Sequence, residues 1–252
     1  MGSGAAGSTG SIIPAVLRAL LLDFNGVLVD DEPLHLELLL RVLGEEGVSL
    51  TPEDAWPRFL GRGDRESFAE ALAGAGQPAP SHRLTRLVAR KASYYQEAVH
   101  RQGYVFFPGA LELMREAAAA GLVQGVVSGA LRDEIEGALR QAGVRGLVKV
   151  VVSIEDVEEG KPSPQGYQLA LQLLNSEAPL PARLLHPHEV LAVEDTLPGI
   201  AAARAAGLVT LGIAHSHEPT ALAGAGANAV AERLEGLGLE RLQALYAEAS
   251  RS

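Results

Sequence analysis

The sequence contains no cysteine, so it offers neither a disulfide framework nor a thiol for catalysis or metal binding. This absence fits a protein of the reducing cytoplasm, which is the location we expect. Positive charge is also scarce, because 21 Lys and Arg residues stand against 31 Asp and Glu residues and give a formal net charge of −10. General nucleic-acid binders are usually basic, so no nucleic-acid partner is expected.

Long apolar runs are lacking as well. The run over residues 12–22 is interrupted by Pro14 and Arg18 and is too short to span a bilayer. Residues 1–11 are small and lack a basic start, which predicts a flexible leader and not a signal peptide. We therefore expect no membrane partner.

Short apolar runs do occur, and each is followed by polar residues, as in buried parallel strands. These runs are Ala19–Leu22, Val123–Val127, Val148–Val152, Val190–Val193 and Leu208–Ile213. Helical patterns lie between them, at Ala110–Ala120, Arg132–Ala142, Pro164–Leu174 and Pro198–Ala206. The alternation predicts an α/β fold with a doubly wound, parallel, Rossmann-like sheet.

One section of the chain breaks this rhythm. It contains helical patterns at Leu36–Leu43 and Leu84–Val99 but no buried strand. We predict that residues 32–103 form an inserted helical cap domain. Residues 12–31 and 104–247 then form the α/β core domain.

Chemically active side chains follow the predicted strands. Asp23, Ser128 and the pair Glu194 and Asp195 each come directly after one, and Lys161 precedes a helix. In an open parallel sheet, ligands bind beyond the carboxyl ends of the strands, so these residues are expected to meet. Carboxylates suit Mg²⁺ shared with a substrate phosphate, while a lysine and a serine can hold phosphoryl oxygens. A carboxylate held in this way can act as a covalent nucleophile.

Each of these residues also has a simpler interpretation. Asp23 could cap a turn, Ser128 could cap a helix, and Lys161 or the acidic pair could be solvated. Taken together at one sheet edge, they favour a functional site.

Four segments in order carry a family resemblance. They are residues 23–28 (Asp-Phe-Asn-Gly-Val-Leu), 127–129 (Val-Ser-Gly), 160–164 (Gly-Lys-Pro-Ser-Pro) and 193–199 (Val-Glu-Asp-Thr, then Gly199). In this order and spacing, the chain resembles the haloacid dehalogenase superfamily of hydrolases. Residues 31–35 (Asp-Glu-Pro-Leu-His) further resemble the subgroup whose helical cap follows the first motif, which includes sugar-phosphate phosphatases and β-phosphoglucomutase.

The resemblance implies a role for each matching residue. Asp23 would attack phosphorus and form an aspartyl-phosphate, and Lys161, Ser128 and Gly129 would hold the phosphoryl group. A Mg²⁺ cofactor would be bound by Asp23, the main-chain carbonyl of Asn25, Glu194 and Asp195. The implied function is Mg²⁺-dependent phosphatase activity on a small phosphorylated metabolite such as a sugar phosphate.

Asn25 departs from the family pattern, which carries an aspartate acid/base at this position. An amide cannot exchange that proton. The sequence therefore predicts weak turnover, best on aryl phosphates, and slow decay of the phospho-enzyme. Replacing Asn25 by Asp would then raise the rate on a poor leaving group by about one to four powers of ten.

Other functions remain open at the level of sequence. A phosphosugar mutase of the same subgroup would use the same nucleophile, and a non-catalytic binding protein would explain Asn25. A C–Cl dehalogenase is disfavoured because it does not need the acidic pair. Residues 61–67 occupy the position of a specificity loop in related enzymes, so Arg62 or Arg65 could contact the substrate; a solvated face is the alternative. The sequence leaves substrate identity and oligomeric state open.

Overall fold

The computed structural model describes residues 16–59 and 62–250; the predicted leader, residues 1–11, lies outside the described residues. In this part of the chain a six-stranded sheet has the order β3-β2-β1-β4-β5-β6. Every pair of neighbouring strands is parallel. The strands are β1 (Ala19–Leu22), β2 (Val123–Val127), β3 (Val150–Val152), β4 (Val190–Glu194), β5 (Val209–Ile213) and β6 (Ala229–Ala231).

Ten α-helices accompany the sheet in the described residues. They are α1 (Glu32–Glu45), α2 (Pro52–Phe59), α3 (Asp64–Gly74), α4 (Ser81–Gln102), α5 (Ala110–Ala119), α6 (Arg132–Gln141), α7 (Gln165–Ser176), α8 (Leu197–Ala205), α9 (Pro219–Gly224) and α10 (Leu239–Ala249). None of the described helices combines the length and apolar character needed to cross a membrane.

The central strand β1 is buried on both faces, as its uninterrupted apolar sequence predicts. Leu20 and Leu22 point into one hydrophobic cluster, together with residues of α5, α6 and α10. Ala19 and Leu21 point into a second cluster, with residues of α7 and α8. Helices therefore cover both faces of the sheet, and the predicted doubly wound α/β fold is confirmed.

All five predicted strands are present, although β3 begins at Val150 and not at Val148. Gly121, Gly143 and Gly207 follow α5, α6 and α8 with φ of 78°, 67° and 79°, the left-handed conformation that ends many helices. The sixth strand, Ala229–Ala231, was not predicted because its residues are half-buried and form no apolar run.

Helices α1 to α4 lie between β1 and β2 in the chain and share a hydrophobic cluster of their own. Its members include Leu43, Phe59, Phe68, Leu72 and Leu87. The chain leaves the sheet and returns to it through two adjacent segments. The Asp30 N–H donates to the Val105 carbonyl at 2.9 Å, and the Phe107 N–H donates to the Leu28 carbonyl at 3.0 Å.

Candidate active site

Asp23 lies at the carboxyl end of β1, in the middle of the sheet. Its Oδ2 is 2.8 Å from Lys161 Nζ, which is also 2.6 Å from Glu194 Oε1. The Phe24 N–H donates to Asp23 Oδ1 at 2.7 Å. Asp23 Oδ1 therefore accepts a main-chain hydrogen bond, Oδ2 forms an ion pair with Lys161, and the carboxylate is almost wholly buried.

Three carboxylates share this site. Oxygen atoms of Asp23, Glu194 and Asp195 lie within 4.8 Å of one another. Burial, and then the charge of Asp23, raise the pKa of Glu194 to about 7 and the pKa of Asp195 well above its usual value. Asp195 Oδ1 is buried and has no hydrogen-bond partner among the described residues. One lysine does not neutralise three carboxylates, so the donor set fits a hard divalent cation such as Mg²⁺.

Two glycines allow the main chain to approach these carboxylates closely. Gly26 has a φ of 77°, and a Cβ there would overlap the carboxylate of Asp195. A Cβ at Gly199 would overlap the carboxylate of Glu194. Both glycines belong to the sequence motifs, and the close approach explains why a side chain does not fit at either position.

Lys161 stays charged in this setting. Burial by itself would lower the pKa of its ammonium, but the neighbouring Asp23 and Glu194 carboxylates raise it above its usual value. Glu194 is fixed further by the Tyr167 hydroxyl, which donates to Oε1. Thr196 caps α8 by accepting from the Gly199 N–H at 3.2 Å, directly after the acidic pair.

Ser128 and Gly129 lie at the carboxyl end of β2, beside Asp23 in the sheet order. The Ser128 N–H donates to the Val152 carbonyl at 2.9 Å, which continues the pairing of β2 with β3. Its hydroxyl accepts from the Ala130 N–H at 3.1 Å and lies 3.4 Å from Asn25 Oδ1. The structure thus brings Ser128 to the same rim as Asn25.

Asn25 is bound to a buried acidic residue at the start of α1. Its Nδ2 donates to Asp31 Oδ2 at 2.7 Å, and the Tyr95 hydroxyl donates to the same oxygen at 2.8 Å. His35 Nε2 lies 3.2 Å from it, and the His35 ring stacks on Tyr95. Burial raises the pKa of Asp31, but the contacts with His35, Asn25 and Tyr95 outweigh burial and hold it below its usual value.

A cavity of about 460 Å³ opens between the rim of the sheet and helices α1 to α4. Asn25 and Gly129 line it from the sheet side, and Trp56, Lys91 and Tyr95 line it from the helices. Lys91 is buried and paired with Asp64, and its Nζ lies 2.8 Å from His35 Nδ1. The cavity therefore combines aromatic walls with charges that are already partnered.

Comparison with known proteins decides the family. The haloacid dehalogenase-like hydrolase family model matches residues 17–207. The chain belongs to the haloacid dehalogenase-like hydrolases.

Several relatives of the chain are named phosphatases. Validoxylamine A 7'-phosphate phosphatase of Streptomyces hygroscopicus subsp. limoneus is 30% identical over 206 residues, which cover 82% of this chain and 90% of that protein. The phosphorylated carbohydrates phosphatase of Thermotoga maritima is 28% identical over 217 residues, which cover 85% of this chain and 94% of that protein. Together with the family, these relatives identify this chain as a phosphoric monoester hydrolase.

Solved structures show the same architecture. CbbY of Rhodobacter sphaeroides in complex with phosphate superimposes with a TM-score of 0.73 and 26% sequence identity, covering 90% of this chain and 99% of that chain. A CbbY mutant from the same organism in complex with xylulose-(1,5)-bisphosphate gives a TM-score of 0.74 at 25% identity, with the same coverage.

Arg65 is one predicted substrate contact that the structure does not bring to the site of this haloacid dehalogenase-like hydrolase. It lies on α3, and its guanidinium donates to Ser81 Oγ at 2.7 Å and to Thr85 Oγ1 at 3.3 Å on α4. Among the described residues that line the cavity, Arg62 is present and Arg65 is not. The predicted loop over residues 61–67 is also helical from Asp64 onward, so the helix turns Arg65 away.

The segment after β5 supplies contacts that the sequence interpretation missed. The Ser216 hydroxyl donates to Asp195 Oδ2, and His217 Nδ1 lies 3.2 Å from the Asp195 carbonyl oxygen. His215 Nδ1 lies 2.8 Å from the Gly26 carbonyl oxygen. The signal was their position directly after a buried strand, the same position that identified Asp23 and Asp195.

Proposed function

We propose that this haloacid dehalogenase-like hydrolase is a Mg²⁺-dependent phosphatase that hydrolyses a small sugar phosphate through an aspartyl-phosphate on Asp23. The observation that carries the proposal is the convergence of Asp23, Lys161, Glu194 and Asp195 on one buried rim. A nucleophilic carboxylate, a fixed ammonium and a cation site are what phosphoryl transfer requires.

The metal would be held by Asp23, Glu194, Asp195 and the main-chain carbonyl of Asn25. The buried, unpartnered Asp195 Oδ1 supports this assignment. When bound there, Mg²⁺ would neutralise negative charge on the phosphoryl oxygens.

The protein's own residues perform the transfer. One Asp23 oxygen forms a bond to phosphorus while the bond from phosphorus to the leaving oxygen breaks, and the leaving oxygen takes a proton from water. Lys161 and Ser128 neutralise and hydrogen-bond the transferring oxygens, because a buried ammonium and a hydroxyl at the same rim can both donate to them. Water then attacks phosphorus, the bond to Asp23 breaks, the water's proton passes to a phosphate oxygen, and phosphate is released.

The cavity supports a sugar-sized leaving group. Its volume of about 460 Å³ lies within the usual range of small-molecule sites. In this proposal residues 32–103, which contain helices α1 to α4, form the cap domain that covers the cavity. Relatives named for validoxylamine A 7'-phosphate and for phosphorylated carbohydrates agree with this substrate class.

Asn25 sets the expected strength of the activity. An amide cannot protonate the leaving oxygen or deprotonate the attacking water, and a positioned acid/base contributes about 10²–10⁴-fold. We therefore expect weak turnover that is best on aryl phosphates, because these leave without protonation.

Phosphate release from a panel of aryl, alkyl and sugar phosphates, with Mg²⁺ and with EDTA, tests the proposal. We expect Mg²⁺-dependent release that disappears in Asp23→Asn. With β-glucose 1-phosphate, a mutase would form glucose 6-phosphate without free phosphate, which separates the two reactions. Absence of phosphate release from the whole panel would contradict the phosphatase, and absence of glucose 6-phosphate as well would favour a binding protein.

A further inference from the structure

The Asn25 side chain has two chemically different ends, and the end that faces the reacting group decides what the residue can do. Nδ2 can only donate a hydrogen bond, and Oδ1 can only accept one. In the structure Nδ2 donates to Asp31 Oδ2 at 2.7 Å, while Oδ1 lies on the Ser128 side, 3.4 Å from the hydroxyl. The acceptor end therefore faces the rim where the phosphoryl group is transferred.

Asp31 imposes this orientation. Its carboxylate is 4% exposed, and an ionised carboxylate accepts hydrogen bonds but donates none. Tyr95 and His35 also contact this Oδ2, at 2.8 Å and 3.2 Å. If the Asn25 amide turned over, Oδ1 would face Oδ2, and two acceptors in contact repel each other. One of the two amide orientations is thus excluded.

We propose that Asp31 is a positioning residue that holds Asn25 Oδ1 toward the water that hydrolyses the aspartyl-phosphate. This role rests on the phosphatase function proposed above and adds a residue to it. The water donates a hydrogen bond to Oδ1, and its oxygen forms the bond to phosphorus as the bond to Asp23 breaks. The water's proton passes to an oxygen of the departing phosphate, so Asn25 orients the water without exchanging a proton.

The pairing changes what Asn25→Asp can achieve. In this variant the carboxylate at position 25 would face the carboxylate of Asp31 at the place where Asn25 Nδ2 donates across 2.7 Å in the wild type. Neither carboxylate can donate a hydrogen bond there when both are ionised. The full gain expected from an acid/base at position 25 is then not reached. A serine hydroxyl can both donate and accept a hydrogen bond. In Asn25→Asp, the change Asp31→Ser therefore supplies a donor for the carboxylate at position 25. In the wild type, the same change no longer distinguishes the two ends of the Asn25 amide, which is then free to turn over.

A double-mutant cycle tests the role with four proteins: wild type, Asn25→Asp, Asp31→Ser and the double variant. The measured quantity is the first-order decay of the phospho-enzyme formed from an aryl phosphate, which does not depend on the fraction of folded protein. With Asn25 present, Asp31→Ser is expected to slow the decay about two- to tenfold, because the amide loses its fixed orientation. With aspartate at position 25, Asp31→Ser is expected to accelerate the decay at least about tenfold.

The change of sign is the decisive result. An effect of Asp31→Ser with the same direction and size in both backgrounds would overturn the positioning role, because independent sites are additive. Glu37→Gln is the control, because it removes an exposed carboxylate of α1, and it should leave the decay unchanged. Failure of all four proteins to form a phospho-enzyme or release phosphate would instead remove the proposed phosphatase, and the positioning role with it.

Discussion

Replacing Gly199 by alanine is expected to destabilise the protein, although the same change inside a helix usually stabilises it. Gly199 lies in the first turn of α8, where a Cβ would overlap the carboxylate of Glu194. That carboxylate is fully buried and contacts Lys161 and Tyr167, so moving it away from Gly199 would break these contacts.

The magnitude follows from three contributions. Overpacking a buried site costs about 1–3 kcal/mol. Displacing Glu194 weakens a hydrogen bond to a charged group, which costs about 1.5–3 kcal/mol. The better helix propensity of alanine returns about 1 kcal/mol. We therefore expect the free energy of unfolding to fall by about 1.5–5 kcal/mol.

Urea titration followed by circular dichroism measures this free energy of unfolding. Gly224→Ala in α9 is the matched control, because a Cβ there would meet no described atom within 4 Å. It should leave the stability unchanged or raise it by up to about 1 kcal/mol. If Gly199→Ala were as stable as wild type, the close approach of Gly199 to Glu194 would be refuted.

Two further predictions concern charge in the site. Lys161→Met should lower phosphate release by about 10²–10³-fold, as removal of a preorganised donor does. Lys149→Met is the control and should leave phosphate release unchanged, because Lys149 Nζ donates to the carbonyls of Leu174 and Pro179. The pKa of Glu194 is raised in the folded state from 4.5 to about 7, so the folded state holds an extra proton between these values. In EDTA the contribution of Glu194 to the free energy of unfolding should therefore decline as pH rises from 4.5 to about 7. Urea midpoints across this range measure the decline, and Glu194→Gln should show a smaller one, because the raised pKa of Asp195 still contributes; an equal slope in both proteins would contradict the assignment.

The core of the site could be predicted because it depends on local patterns and one rule of topology. Asp23, Ser128 and Asp195 each follow a run of apolar residues, and runs of this kind become parallel strands. Parallel strands bring their carboxyl ends to one edge, so residues far apart in sequence meet there. The structure places Lys161 beside Asp23 and Glu194, in agreement with that reasoning.

The network around Asn25 could not be predicted in the same way. Tyr95 reaches Asp31 across 64 residues, and the two lie on different helices or their ends. Helical periodicity indicates that Tyr95 is buried, but it does not indicate which polar group its hydroxyl contacts. Arg65 illustrates the same limit, since its position on α3 directs the guanidinium to Ser81 of α4 and away from the cavity.

The two segments that connect the sheet with helices α1 to α4 run side by side, joined through Leu28 with Phe107 and Asp30 with Val105. The chain thus departs from the sheet and rejoins it at almost the same place, whatever lies between. A change of length within the helices would therefore enter between two segments that are already joined, and the pairing of β1 with β2 does not run through the helices. The cavity walls from α2 and α3 can therefore change in length or composition while the strand that carries Asp23 keeps its place in the sheet, whereas Tyr95 of α4 and His35 of α1, which contact Asp31, are tied to it.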